Sequence, residues 1–525
     1  MRLSAPTATG LRPQRPFPLG RKPRILRLAA ALAAAAILGS FAASLAERFA
    51  PSDQELAVGL ATGLLAAGIA LIALQLRSGD FASPLSALGL LLTLDFGLRP
   101  LYLLANHRVL SAYVNPSSPR EALSNLQSQE LVWFFAVKTG TPPIRAILVG
   151  VALGVVFAAS FIVGHARGQV RRRTTLARPA WLEPAKLRNG VVIFLAASLL
   201  AQAYLLATAG GLSAALAGVN TQETVQLPGR FGVFVVLTCG IVALMVWLVA
   251  LPPRSPGTWA MFSALLAERS LFGLVTGSRS SAVMPLVACA VAAHYGRRRW
   301  RLLQVAIGVG VLLAVTTTFA VFREATREST VRQAQAITRE SLPGPGAIAN
   351  DFTEFDALIE MIGSPAQFAP RDGRRLLEGS LSLVPRALYI GGKPPTGDIQ
   401  LRARLWGSSV GLAGRPFTVV GELWWDLRWL GVALGGLLIG YVIGRIRMAV
   451  ARLPSKEMRG CWEAVLLLAF ASLLFGGYDL GASVAFQYAV PLFVLTSLAA
   501  SRSKPSFRET RPQTAPTSPK CQAVP

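Results

Sequence analysis

Residues 276–280 read Thr276, Gly277, Ser278, Arg279 and Ser280, a run whose small members let the backbone turn tightly while presenting a cation and several hydroxyls. At the start of an apolar helix such a turn suits an anion, because the helix dipole and the free amides of the first turn favour negative charge. Phosphate is the natural guest; a tight turn with a snorkelling arginine is the alternative. A second set of cations follows at Arg323, Arg386, Lys393, Arg402, Arg404 and Arg415. Arginine keeps its charge at every pH and meets phosphate oxygens in pairs, so several on one surface would clamp a diphosphate. Proton transfer also needs a base. Glu422 stands beside Leu423, Trp424 and Trp425, apolar neighbours that favour a raised carboxylate pKa suited to taking a proton from a hydroxyl, although the tryptophans fit an interfacial belt equally well. His107 is a second base candidate, and Tyr478 and Asp479, in a short turn before the last apolar run, could line the same pocket.

Other ionisable residues fall inside apolar runs, where each calls for a partner. Asp95 and Arg99 share a helix face at i,i+4 spacing and are expected to neutralise each other. Glu268 and Arg269 are adjacent, so they point in different directions and need partners elsewhere or a water-filled pocket. Cys239, Cys289, Cys461 and Cys521 have neither metal-ligand spacing nor the pattern of a disulfide framework. There is no Walker loop, dinucleotide fingerprint, zinc spacing or nucleophile elbow, so neither soluble nucleotides nor a metal or cofactor is expected.

The elements that must position these residues are set by hydropathy. Of the 525 residues 53% are hydrophobic and only 15% charged, and the mean hydropathy of +0.49 exceeds what a soluble core requires. A helix needs about twenty apolar residues to cross a bilayer, and about twelve such windows occur, at 28–46, 55–76, 82–105, 144–164, 189–209, 230–251, 258–276, 280–296, 302–322, 427–444, 462–478 and 483–500. The expected fold is therefore an all-α polytopic membrane domain over 25–500, with basic tails at 1–24 and 501–525 that have a disordered composition. The 28–46 run is long enough to span and reads as a retained first helix, not a cleaved signal peptide.

The net charge of +26 sits largely between apolar runs and at the ends, which makes it a topology signal and not a nucleic-acid footprint. With the N-terminus in the cytoplasm, the clusters from Arg167 to Arg188, from Arg297 to Arg301 and from Arg445 to Arg459 all fall on the cytoplasmic side, as does the tail at Arg502, Lys504 and Arg508. The same alternation puts residues 323–426 outside, a segment too long to be a connector. Within it Asp351 and Glu354 resemble a helix start, and Phe352, Phe355, Leu358, Ile359 and Ile362 recur opposite Glu354, Asp356 and Glu360, so an amphipathic helix lies on the membrane or on the bundle. Leu376, Leu377, Leu381 and Val384 mark another short helix, and Gly391, Gly392, Pro394, Pro395 and Gly397 an irregular stretch.

Residues of about 190–445 resemble the bacterial O-antigen polymerase (Wzy-like) family of oligosaccharide repeat-unit polymerases. The pieces that carry the resemblance are Leu205 to Leu212 with Gly210 and Gly211, the run Leu274 to Arg279, and Pro416 to Leu423 ahead of a helix containing Gly431. The resemblance implies a multi-pass protein of the bacterial plasma membrane, both termini cytoplasmic, that joins undecaprenyl-diphosphate-linked repeat units into an O-antigen, capsule or exopolysaccharide. It implies a glycosyl transfer with lipid diphosphate as leaving group and no metal, with Arg279 on the diphosphate and Arg323, Arg386 and Arg415 as further loop cations. Its partners would be the lipid-linked oligosaccharide, membrane lipid, and a chain-length regulator and flippase of the same pathway. The late loop has no clear match to the histidine base of related ligases, which leaves Glu422 or another carboxylate. An O-antigen ligase or another lipid-linked-sugar glycosyltransferase is the nearest alternative. A flippase would show two comparable halves, and a purely structural role in an export complex is the remaining reading.

Overall fold

The computed structural model of the chain describes residues 52–105, 143–170, 181–211, 231–275, 279–300, a few positions between 303 and 310, 354–381, 396–406 and 418–501. The expected span at 28–46, most of 302–322, and the terminal tails lie outside the described residues. In chain order the helices are α1 (Asp53–Ser78), α2 (Pro84–Ala105), α3 (Ile144–Gly168), α4 (Pro184–Thr208), α5 (Phe231–Ala250), α6 (Pro256–Val275), α7 (Arg279–Gly296), α8 (Glu354–Gly363), α9 (Arg374–Leu381), α10 (Gly397–Trp406), α11 (Val419–Val450) and α12 (Lys456–Ala499). Among the described residues the β structure is one antiparallel pair of two-residue strands, β1 (Trp181–Leu182) and β2 (Ala500–Ser501). Seven of these helices, α1 to α5 with α11 and α12, are long and apolar enough to cross a membrane. α7 is shorter, and Glu268 and Arg269 interrupt α6.

Two of the long helices are folded over. α12 has 44 residues, about 66 Å if straight and twice a bilayer core. It breaks at Gly477, whose φ of 74° and ψ of −171° suit only glycine. A methyl on Gly481 would lie 2.6 Å from Leu473 Cβ, so the residues on either side of the break run side by side and α12 is a hairpin. The expected runs 462–478 and 483–500 are its two arms, with the turn at Gly477. α11 breaks at Leu427 and Arg428, and a methyl on Gly431 would meet the Leu423 carbonyl at 2.2 Å, so residues 419–426 form a short arm folded against the long one.

Among the described residues the two larger apolar cores share α12. One gathers α1, α2, α3, α8, α11 and the first arm of α12; the other gathers α4, α5, α7 and both arms. α3 and α11 meet along a glycine seam: methyls on Gly164, Gly168, Gly440 and Gly444 would fall 2.0, 2.3, 2.2 and 2.6 Å from carbonyl oxygens of the facing helix. Where lipid is as apolar as the side chains, such close backbone approach supplies the packing that the hydrophobic effect does not.

The basic clusters gather at one end. The Arg299 side chain reaches Gly79, Lys456 donates to the Arg297 carbonyl, and Gly168 packs beside Arg445. Beneath them Arg447 pairs with Asp80 at 2.6 Å and with Glu463 at 3.6 Å, while Tyr295 donates its hydroxyl to Asp80. α12 starts and finishes at this end and turns at the other, where α8, α9 and α10 form a cap.

Three expectations change. Arg99 pairs not with Asp95 but with Asp356 of α8, its Nε 2.9 Å from Oδ1, and both side chains are fully buried. Residues 94–98 form a π turn, which widens the spiral and rotates Asp95 away from the i,i+4 stack. Pro100 lacks the N–H that would reach the Phe96 carbonyl in an α-helix, which accounts for the wider turn. The amphipathic α8 rests on the bundle and buries Asp356 and Glu360 as well as Phe355, Leu358 and Ile359; Asp351 and Phe352 lie outside the described residues. Finally, Glu268 and Arg269 are each other's ion partners, at 3.2 Å, despite their adjacency.

Candidate functional site

At the cap end one arginine holds three carboxylates. Arg375 lies in the first turn of α9, an eight-residue helix whose leading amides are capped by Asp426: the Arg375 and Leu376 N–H groups donate to its two oxygens at 2.9 and 2.8 Å. Leu376 and Leu377 are 42% and 59% exposed, whereas Arg375 is fully buried. A stripe of charge, Arg371, Arg375 and Glu378, therefore faces inward, and the leucines face away from the bundle.

The Arg375 guanidinium donates from Nε and Nη2 to Glu422 Oε1, at 3.3 and 3.1 Å, and from Nη1 to Glu378 at 3.3 Å; Nη2 also reaches Asp479 Oδ2. Burial alone would lower its proton affinity, but Glu422 and Asp479 outweigh that and hold it above the ordinary arginine value. The second oxygen of Glu422 accepts the Tyr478 N–H, directly after the α12 turn. Gly477 is required twice: its positive φ makes the turn, and a methyl there would lie 2.6 Å from Glu422 Cδ. Gly397, at the start of α10, donates its N–H to Asp479 Oδ2 at 2.8 Å, and a methyl on it would strike the Arg375 guanidinium.

A second arginine braces the group. Arg371 binds Glu378 at 2.8 Å and lies 5.6 Å above the Trp425 ring, while Arg404, largely exposed, lies 5.1 Å from the same ring. Arg428, at the break in α11, sits 3.9 Å over Trp424 and donates to the Phe368 carbonyl at 2.5 Å. Two buried or half-buried arginines, Arg371 and Arg375, thus face four carboxylates, Glu378, Glu422, Asp426 and Asp479. The excess of negative charge makes the interior unsuited to a phosphate. Exposed cations stand on the rim instead, at Arg374 and Arg404.

Within this cage one acceptor is spare. Asp479 Oδ2 is taken by Arg375 and Gly397, but Oδ1 is buried with no hydrogen-bond partner, beside Gly379, where a methyl would lie 3.6 Å from it and 2.7 Å from Tyr478 Cβ. Glu422, by contrast, has both oxygens engaged and is 2% exposed, which suits it to hold Arg375 and the α12 turn in place.

The structure brings together three of the residues singled out from sequence: Glu422, Tyr478 and Asp479. Arg279 is the first residue of α7, of which only the backbone is described, and Arg402 lies within α10. His107, Ser278, Arg323, Arg386, Lys393 and Arg415 lie outside the described residues. Arg375, Glu378 and Asp426 were not anticipated. Their signal is helical spacing of charge, Arg371, Arg375 and Glu378 on one face and Glu422 with Asp426 on another. Compared with protein-family models, with curated proteins and with solved structures, the chain matches none.

Proposed function

We propose that this chain is a membrane glycosyltransferase that joins lipid-diphosphate-linked oligosaccharide repeat units into a polysaccharide, working at the membrane surface on the cap end. The observation that carries the reading is the buried cage with one spare carboxylate oxygen, on Asp479, beneath short helices that expose Arg374 and Arg404. A sugar hydroxyl is a poor nucleophile until a base takes its proton. In this reading Asp479 Oδ1 accepts that proton as the hydroxyl oxygen attacks the anomeric carbon of the donor. The bond from that carbon to the phosphate oxygen breaks, and the lipid diphosphate leaves with the electron pair.

Arg375, fixed by Glu422, holds the other oxygen of Asp479 and keeps its free lone pair directed. The rim cations, with Arg279 and the loop residues Arg323, Arg386, Lys393 and Arg415, take the diphosphate, whose charge grows as it departs. His107 remains an alternative base from the loop. The basic clusters at the far end then face the cytoplasm by the positive-inside rule, which puts the cap outside. Deletion of the gene followed by glycan gels tests the proposal: single repeat units persist and long chains are lost. Unchanged chain lengths would overturn it, and loss of all surface units would favour a flippase.

A further inference from the structure

Away from the cap, two helices bury hydrogen-bond donors that have no acceptor. Arg269 of α6 is 5% exposed, and its Nε and Nη2 make no hydrogen bond; Glu268 approaches Nε at 3.2 Å but off the N–H direction. Gln202 of α4, 4% exposed, has an idle amide nitrogen, and the Ser270 hydroxyl is idle as well. Arg269 and Gln202 share one locality. A methyl on Gly240 of α5 would lie 2.6 Å from Ser198 Oγ and 3.1 Å from Arg269 Cζ, so those two groups are at most about 6 Å apart, and Gln202 stands one turn beyond Ser198 on the same face of α4.

Leaving such donors bare in an apolar bundle is costly, and every missing partner except one is an acceptor. Arg269 lies six residues before the end of α6, about 9 Å inside that end. α6 exposes Trp259 and Met261 in its first half and Leu271 two residues after Arg269, so this helix borders lipid. An oxygen-rich anion arriving here comes on an apolar tail.

We propose that Arg269 and Gln202 form an intramembrane site for the phosphate group of a membrane lipid, entered sideways past α6. The arginine supplies a charged pair of donors and the amide adds a third. A transferase that joins two lipid-linked chains must hold two lipids at once, and this site would hold one of them; the lipid's identity rests on the proposed function, whereas the phosphate chemistry does not.

The test is binding to the purified full chain in phosphatidylcholine nanodiscs, with undecaprenyl phosphate, phosphatidylglycerol and inorganic phosphate as separate probes. Arg269→Gln should weaken binding of undecaprenyl phosphate by about tenfold or more, the loss of one charge-assisted contact, and Glu268→Gln should preserve or tighten it. Gln202→Leu, which removes a buried idle amide and so should not harm folding, is expected to weaken it several-fold. Equal binding by wild type, Arg269→Gln and Gln202→Leu overturns the site, and so does inorganic phosphate competing as well as lipid. Preference for phosphatidylglycerol over undecaprenyl phosphate would keep the site but refute the lipid that the proposed function supplies. Glycan length is not the readout, so failure of the transferase reading leaves this result interpretable.

Discussion

Replacing Arg375 by methionine keeps most of the side-chain volume and removes the one cation that Glu422, Asp479 and Glu378 share. Breaking a buried ion pair by deleting one partner costs about 3–5 kcal/mol, because the other charge stays buried without compensation. Here three carboxylates are affected, but Glu378 keeps Arg371 and Gln400 and Asp479 keeps the Gly397 amide. The exposed-side losses are therefore small, and Glu422, with only the Tyr478 amide left, dominates. About 3–5 kcal/mol is the expected cost for Arg375→Met. The double variant Arg375→Met with Glu422→Gln removes both members of the central pair and should recover part of it, a coupling of about 1–3 kcal/mol. The assay is reversible unfolding of the purified protein in detergent, run as a double-mutant cycle. If Arg375→Met unfolds with wild type, or if the two changes simply add, the cage is not held by this pair and the argument fails.

Gly477→Ala should destabilise by about 3 kcal/mol or more, since alanine is strained at that φ and its methyl displaces Glu422; Glu422→Ala in the same background should relieve part of the loss, as unfolding midpoints would reveal. Asp356→Asn leaves Arg99 buried with a neutral partner and should free α8 from the bundle, visible as faster proteolysis within 354–363, whereas Asp95→Asn should do far less. Asp479→Asn retains the shape and the Gly397 contact but cannot accept a proton, so protein levels should hold while long glycan chains disappear; chains of normal length would remove Asp479 as the base. Gly440→Leu forces side-chain atoms against the Phe161 carbonyl and should reduce the yield of folded protein by separating α3 from α11, whereas Gly59→Leu, with open space around it, should leave the yield unchanged.

Hydropathy located the seven helices that are long and apolar enough to cross a membrane, because lipid demands long apolar runs regardless of what the rest of the chain does. It also placed Tyr478 and Asp479 at a turn between two spans, and Glu422 near that turn's level. What it missed depends on partners distant in sequence. Leu376, Leu377 and Leu381 marked a short helix but not its inward face, which is chosen by Arg375, whose partners are 47 and 104 residues away. A periodicity argument ranks leucine burial above arginine burial and cannot weigh a set of carboxylates it has not located. Asp95 and Arg99 failed differently: their pairing assumed 3.6 residues per turn, and the π turn removed that premise, with Pro100 as the one visible warning.

The cage also dictates an order of assembly. Arg375 leaves the ribosome well before Asp479, and the carboxylates that neutralise it sit on α11 and on the final arm of α12. Until the second arm of α12 has entered the bilayer, Arg375 has Glu378 and Glu422 but lacks Asp479, and Glu422 lacks the Tyr478 amide that holds its second oxygen. The cap is thus fastened last by the second arm of α12. A chain truncated after residue 477 would insert most of its helices and still lack two of the cap's fastenings, the Asp479 carboxylate and the Tyr478 amide.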